Sequence, residues 1–209
     1  MLVKHYFDYK SPYAYLAQEA NWKLAEESGV EVEWIPYTLQ IPKYLGAAKL
    51  DTTGQDTLGT RNDHQWRRVR YSYMDCRREA TRRGLVVRGP RHIFDSSLAH
   101  SAFLWVAGHG DFRAFHDYVF EKFWRRELDI EDLEVLLATL RQLGLPSDGF
   151  VEYAETVGRQ AHDQAQLDAE AAGVFGVPSW LVGEELFWGL ERLPHVYELL
   201  VRMSKTNPA

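Results

Sequence analysis

The amino-acid sequence predicts an α/β fold in which a βαβ unit opens the chain and a ββα unit closes it, with a large all-helical insertion between. Three observations predict it. Residues 2–7 (LVKHYF) and 30–37 (VEVEWIPY) have strand character and flank a helical pattern that begins at Ser11-Pro12. Residues 173–193 (GVFGVPSWLVGEELFWGLERL) read as a loop, two short apolar runs around a Gly183-Glu184 turn, a break at Gly189 and the start of a helix. The long stretch between carries capped amphipathic segments and no strand pattern. Residues 1–40 plus 173–209 therefore form the sheet-bearing domain, and 41–172 the inserted helical one.

The elements follow in order. The first strand offers Val3, Tyr6 and Phe7 for burial. Ser11 is a good helix cap, and Pro12 suits the first helical position, where its missing N–H costs nothing. Tyr13, Leu16, Ala17, Ala20 and Leu24 recur at helical spacing until Gly29, and Pro36 closes the second strand. A strand–helix–strand crossover of this kind is right-handed. Residues 41–61 are rich in Gly and Thr and read as a long loop, and 64–83 reads as a helix. Asp95 or Ser96 caps SLAHSAFLWVAG; Asp111 caps a helix with Phe112, Phe115, Val119, Phe120 and Phe123 on one stripe. Asp129 caps IEDLEVLLATLRQLG, Ser147 caps a short helix, and 158–172 forms a polar one. Val177-Pro178, just before a strand, is a candidate cis peptide.

Composition narrows the function. The formal net charge of -6 argues against nucleic acid as a partner, since phosphate binding needs a basic surface. Arg67, Arg68, Arg70, Arg77, Arg78, Arg82, Arg83 and Arg88 cluster around Asp75 and Glu79, which reads as a solvated helix face. Cys76 is the single cysteine, which excludes an intrachain disulfide, dithiol exchange and a cysteine-based metal site. His92, His100, His109, His116 and His162 form no metal-ligand set, so no metal is expected. Residues 1–8 lack signal-peptide character, and no apolar run approaches the ~20 residues of a membrane helix. A cytoplasmic protein with no membrane contact is expected.

The order βαβ…ββα is that of a thioredoxin-like fold, whose working group sits at the N-terminus of the first helix. There the helix dipole and free N–H groups favour an anion. This chain has Ser11-Pro12-Tyr13-Ala14 at that place. Ser11 caps the helix as an acceptor, and its hydroxyl is also able to donate to a thiolate supplied by another molecule. The backbone of Val177 beside Pro178 offers a short edge to a peptide-like ligand. Tyr9, Tyr13, Trp34, Tyr37, Trp180, Phe187 and Trp188 provide aromatic surface, most of it for the core, with Tyr13 the best placed to line a site.

Phe7–Ala17 (FDYKSPYAYLA) and the 173–193 segment together resemble the 2-hydroxychromene-2-carboxylate isomerase and kappa-class glutathione transferase group of the DsbA superfamily. The resemblance implies glutathione as cofactor, an aromatic or conjugated substrate and a homodimer. It implies that Ser11 hydrogen-bonds the glutathione sulfur and that Val177 and Pro178 hold the cysteinyl backbone. Glu191 stands where the group carries an aspartate for the γ-glutamyl amine, and Leu190 where it carries a small polar residue. Ile35-Pro36-Tyr37 replaces an Arg-Pro-Phe pattern. Lys10, Pro12 and Tyr13 are then expected in the substrate pocket. The reaction implied is isomerisation by reversible thiolate addition to a conjugated aromatic substrate. A glutathione transferase, or a non-redox binding protein using the Val177-Pro178 edge, is the alternative.

Overall fold

The computed structural model describes residues 2–206, with the side chains of 204–206 left aside; Met1 and 207–209, inside the expected domain bounds, lie outside the described residues. The sheet is built around β1 (Leu2–Phe7), whose Val3, His5, Tyr6 and Phe7 are all buried. Its strands run in the order β2-β1-β3-β4, with β2 (Glu31–Pro36), β3 (Ser179–Val182) and β4 (Glu185–Trp188). β2 lies parallel to β1 with Leu2 opposite Glu31, whereas β3 lies antiparallel with Val3 opposite Val182. A parallel neighbour requires a crossover, and α1 (Pro12–Glu27) supplies it. The thioredoxin-like fold with a helical insertion is what the chain adopts.

α1 starts as its sequence dictates: Ser11 accepts a hydrogen bond from the Ala14 amide, and Pro12 occupies the first turn. The insertion contributes α2 (Ile41–Leu45), α3 (Asp63–Arg82), α4 (Ser97–His109), α5 (Arg113–Trp124), α6 (Leu133–Gln142), α7 (Phe150–Glu155) and α8 (Val157–Ala171). A 3-10 turn (Leu190–Arg192) leads into α9 (Leu193–Thr206).

Several helix starts differ from the sequence expectation. α6 is capped by Asp132, whose carboxylate accepts from the Glu134 and Val135 amides, while Asp129 closes the preceding turn by accepting from Glu131. α7 follows Gly149 (φ 85) and not a serine cap, because the chain enters through the left-handed region. Ser96 holds the cap position of α4, but its hydroxyl is drawn to Asp8 and the Asp95 carboxylate accepts from the Ser97 amide at 3.0 Å; Phe112 holds the cap position of α5, with the Asp111 carboxylate accepting from the Arg113 amide at 2.9 Å. α3 has a full capping box between Asn62 and Gln65. The 41–61 segment is more ordered than a plain loop, with α2 and a bridge between Leu50 and Asp56.

The sheet and the insertion share one apolar core. Phe7 packs edge-on against Phe103 of α4 at 4.9 Å and His116 of α5 at 4.6 Å. Such ring pairs add about 0.5–1.5 kcal/mol each beyond area burial. Trp124 closes the same cluster, and its indole N–H donates to the Tyr9 carbonyl at 3.1 Å. A second cluster joins Val3, Trp180 and Val182 to Leu24 of α1 and to Leu193, Val196 and Leu200 of α9.

Candidate functional site

The turn after β1 brings the first functional side chains together. Ser11 is 3 % exposed, accepts from the Ala14 amide at 3.2 Å and donates to the Val177 carbonyl at 3.4 Å. Val177-Pro178 is a cis peptide, and the Ser11–Val177 hydrogen bond brings the two motifs from opposite ends of the chain together. Val177 lines the cavity, and its amide donates to no acceptor among the described residues. Gly176 lets the Trp188 indole close in beside it: a Cβ there would lie 2.6 Å from the indole nitrogen.

Lys10 does not bring a free positive charge to this place. Its ammonium is 2.9 Å from the Asp8 carboxylate and donates to the Ser96 hydroxyl at 2.9 Å. Asp8 is fully buried and also accepts from Ser96 at 2.6 Å and from the Leu39 amide at 2.8 Å. Burial alone would raise the Asp8 carboxyl; the Lys10 ammonium, His100 and Ser96 outweigh it and hold the group well below the usual carboxylate range. His100 approaches Asp8 at 3.4 Å, and its side chain meets Thr38, which also meets His162. This buried network was invisible in the sequence because its members come from four separate segments.

Ser11, Lys10, Pro12, Tyr13 and Val177 line one cavity of about 830 Å³. Tyr44, Trp66, Tyr73, Phe94, Phe175 and Trp188 supply its aromatic walls. Of the aromatic residues singled out in the sequence, Tyr13 and Trp188 line the cavity, whereas Tyr9, Trp34, Tyr37 and Trp180 are buried in the core. Tyr13 donates to the Asp75 carboxylate at 3.1 Å, and burial followed by the neighbouring Cys76 and Asp75 raises its phenol well above the ordinary value. Burial pushes the Cys76 thiol up to about 12, and the residue packs in the apolar core. Pro178 forms the cis bond without lining the cavity, and Glu191 sits exposed in the 3-10 turn, also outside the lining. Arg67, Arg68, Arg70, Arg77, Arg78, Arg82, Arg83 and Arg88 are all exposed, as a solvated face requires, and part of that face borders the cavity. Arg78, Arg82 and Arg83 form surface pairs with Asp75 and Glu79, while Arg68, Arg70 and Arg77 line the cavity. Among the described residues no His, Cys, Asp and Glu group could hold a metal, and no helix is long and apolar enough to cross a membrane.

A serine at the head of the first helix, facing a cis-proline loop across an aromatic cavity, defines a thioredoxin-fold protein that has dispensed with its own dithiol. The chain belongs to the DSBA-like thioredoxin domain family, whose model matches residues 2–201. The 2-hydroxychromene-2-carboxylate isomerase of Sphingobium xenophagum is 27% identical over 200 residues, covering 95% of this chain and 97% of that protein. The enzyme of the same name from Pseudomonas putida is 25% identical over 212 residues, covering 99% and 98%. A solved 2-hydroxychromene-2-carboxylate isomerase structure superposes with a TM-score of 0.76 at 24% identity over 99% of this chain and 98% of that one. The resemblance read from the two end motifs thus extends over almost the whole chain.

Proposed function

We propose that this chain is an isomerase of the 2-hydroxychromene-2-carboxylate isomerase type that uses glutathione and acts on a conjugated aromatic substrate. The observation that carries the reading is the Ser11 hydroxyl, buried at the head of α1 and opposite Val177, on the wall of an aromatic cavity. The unpartnered Val177 amide fits the same group, since it is free to pair with a peptide-like backbone. Glutathione held there would supply a thiolate able to add reversibly to a conjugated double bond, the displaced electron pair being taken up by the substrate's conjugated carbonyl and returned when the thiolate leaves.

The residues of the chain do the rest. Ser11 would keep its oxygen on the Ala14 amide and turn its hydrogen from the Val177 carbonyl to the sulfur as a charge-assisted donor. The positive end of α1 favours the same anion. The ion pair of Asp8 with Lys10 fixes the turn that presents Ser11. Tyr13 and Trp188 wall the cavity with flat aromatic surface against which a conjugated substrate can stack.

Calorimetric titration with reduced glutathione tests this, with Ser11→Ala alongside. Saturable binding is expected, weakened about tenfold or more in the variant as a charged hydrogen bond is lost, with less thiolate absorbance near neutral pH. Absence of binding at millimolar thiol, or unchanged thiolate absorbance in the variant, refutes the reading. A stable thioether product in place of an isomer would make the protein a transferase.

A further inference from the structure

The cavity has a charge opposite to that of the molecule. The chain carries a net charge of -6, yet Lys10 and six arginines line the cavity and no Asp or Glu does. Lys10 is neutralised by Asp8. The arginines form no such ion pair: among the described residues the carboxylates pair with arginines elsewhere, such as Arg78, Arg82 and Arg113, and of Arg61, Arg68, Arg70, Arg77, Arg91 and Arg126 only Arg61 feels a nearby carboxylate, that of Asp56, at a distance.

Three of these guanidinium groups are also held in place. Arg61 donates from Nε to the Leu45 carbonyl at 2.9 Å and lies 4.9 Å from the Trp66 ring. Arg77 donates from Nε to the Val87 carbonyl at 3.4 Å and lies 5.7 Å from the Tyr73 ring. Arg126, with a φ of 60, donates from Nε to the Gly89 carbonyl at 2.8 Å and from Nη2 to the same oxygen. Val87 and Gly89 are two positions apart, so Arg77 and Arg126 rest on one short scaffold. A guanidinium anchored through Nε keeps terminal N–H donors for a planar anion and loses little freedom on binding it.

From this we infer that the cavity selects flat, conjugated ligands bearing two or more carboxylate groups, with Arg77 and Arg126 receiving one of them. Arg68, Arg70, Arg77, Arg91 and Arg126 are exposed and Arg61 is half-buried, so a single carboxylate on a ligand would leave most of these cations without an anionic partner. The aromatic walls suit the flat frame, and the arginines suit its charged ends. This goes beyond the isomerase reading, whose named relatives act on a compound with one carboxylate, and stands apart from it because binding of the acid needs no thiol.

The test is titration of the thiol-free protein with naphthalene dicarboxylate and with naphthoate, followed by quenching of tryptophan fluorescence, since Trp66 and Trp188 line the cavity. The diacid is expected to bind about tenfold or more tightly than the monoacid, as befits one additional charged hydrogen-bonded contact. Added salt should weaken the diacid more than the monoacid in the unmodified protein. Arg77→Gln with Arg126→Gln should abolish the preference, and Arg82→Gln, whose arginine is 73% exposed and paired with Glu79, should keep it. Equal affinity for the two acids, equal salt dependence, or a preference that survives in the folded double variant overturns the inference. Failure of glutathione to bind while the diacid preference holds would refute the thiol reading and leave this one standing.

Discussion

His5 makes the stability of this protein depend on pH through one well-defined site. Its Nδ1–H donates to the Ser179 carbonyl at 3.2 Å, and its Nε2 accepts from the Asn21 amide at 2.8 Å. The Asn21 oxygen is itself engaged by the Trp180 indole at 2.9 Å, so the amide cannot turn round to receive a second imidazole proton. Burial accordingly pushes the His5 imidazole down to about 3, with the Ser179 bond opposing only in part. An unfolded histidine takes its proton near 6.5, so between that value and about 3 unfolding takes up a proton. The depressed folded value means that its contribution to stability is complete above pH ~6.5 and declines as pH falls. At pH 5 the loss from His5 alone amounts to about 2 kcal/mol, a large share of a typical total of about 5–15 kcal/mol. Burial also lowers His116 and His100, which act in the same direction. Urea unfolding at pH 7 and pH 5, followed by tryptophan fluorescence, measures this. His5→Gln should lower stability at pH 7 yet lose about 2 kcal/mol less than the unmodified protein on going to pH 5. The same pH-induced loss in both proteins would refute the reasoning.

Two further predictions follow from the site's surroundings. Asp8→Asn leaves the Lys10 ammonium buried beside a neutral amide and should cost about 3–5 kcal/mol in urea unfolding, whereas pairing it with Lys10→Met should recover part of that loss. An effect under about 1 kcal/mol would show that the pair is solvated, as surface pairs are. Cys76, fully buried and with its thiol pushed up to about 12, should react with a thiol-specific disulfide reagent only after urea unfolding. Rapid labelling of the native protein would mean that the α3 wall opens readily.

The two ends of the chain were legible because their signals are local. Ser11-Pro12 is a cap followed by a proline at the first helical position, and Val177-Pro178 precedes a run of strand residues; neither depends on distant partners to be read. The cap of α6 was not, because Asp129 and Asp132 both offer a carboxylate within one turn and only the backbone decides which amides each meets. The cavity's charge was hidden for a related reason. Arg77 and Arg78 are neighbours in sequence, yet one rests on the Val87 carbonyl and the other pairs with Asp75. A helix turns about 100° between successive residues, and which side meets the cavity is set by packing. Arg61, Arg91 and Arg126 come from connectors whose convergence no periodicity reveals. Most aromatics offered for the pocket went to the core, where large rings bury the most surface.

The split of the sheet has a consequence during synthesis. β1 and β2 lie close in sequence, but β3, the partner for the other side of β1, arrives only after the whole insertion has been made. Through that interval the central strand of the finished sheet is an open edge, with main-chain donors and acceptors available to any other nascent chain. The buried aromatic contacts of Phe7 with α4 and α5 offer cover for that half of the molecule before its closing strands exist. The insertion packs against the face of β1 and leaves its open edge for β3 alone to close.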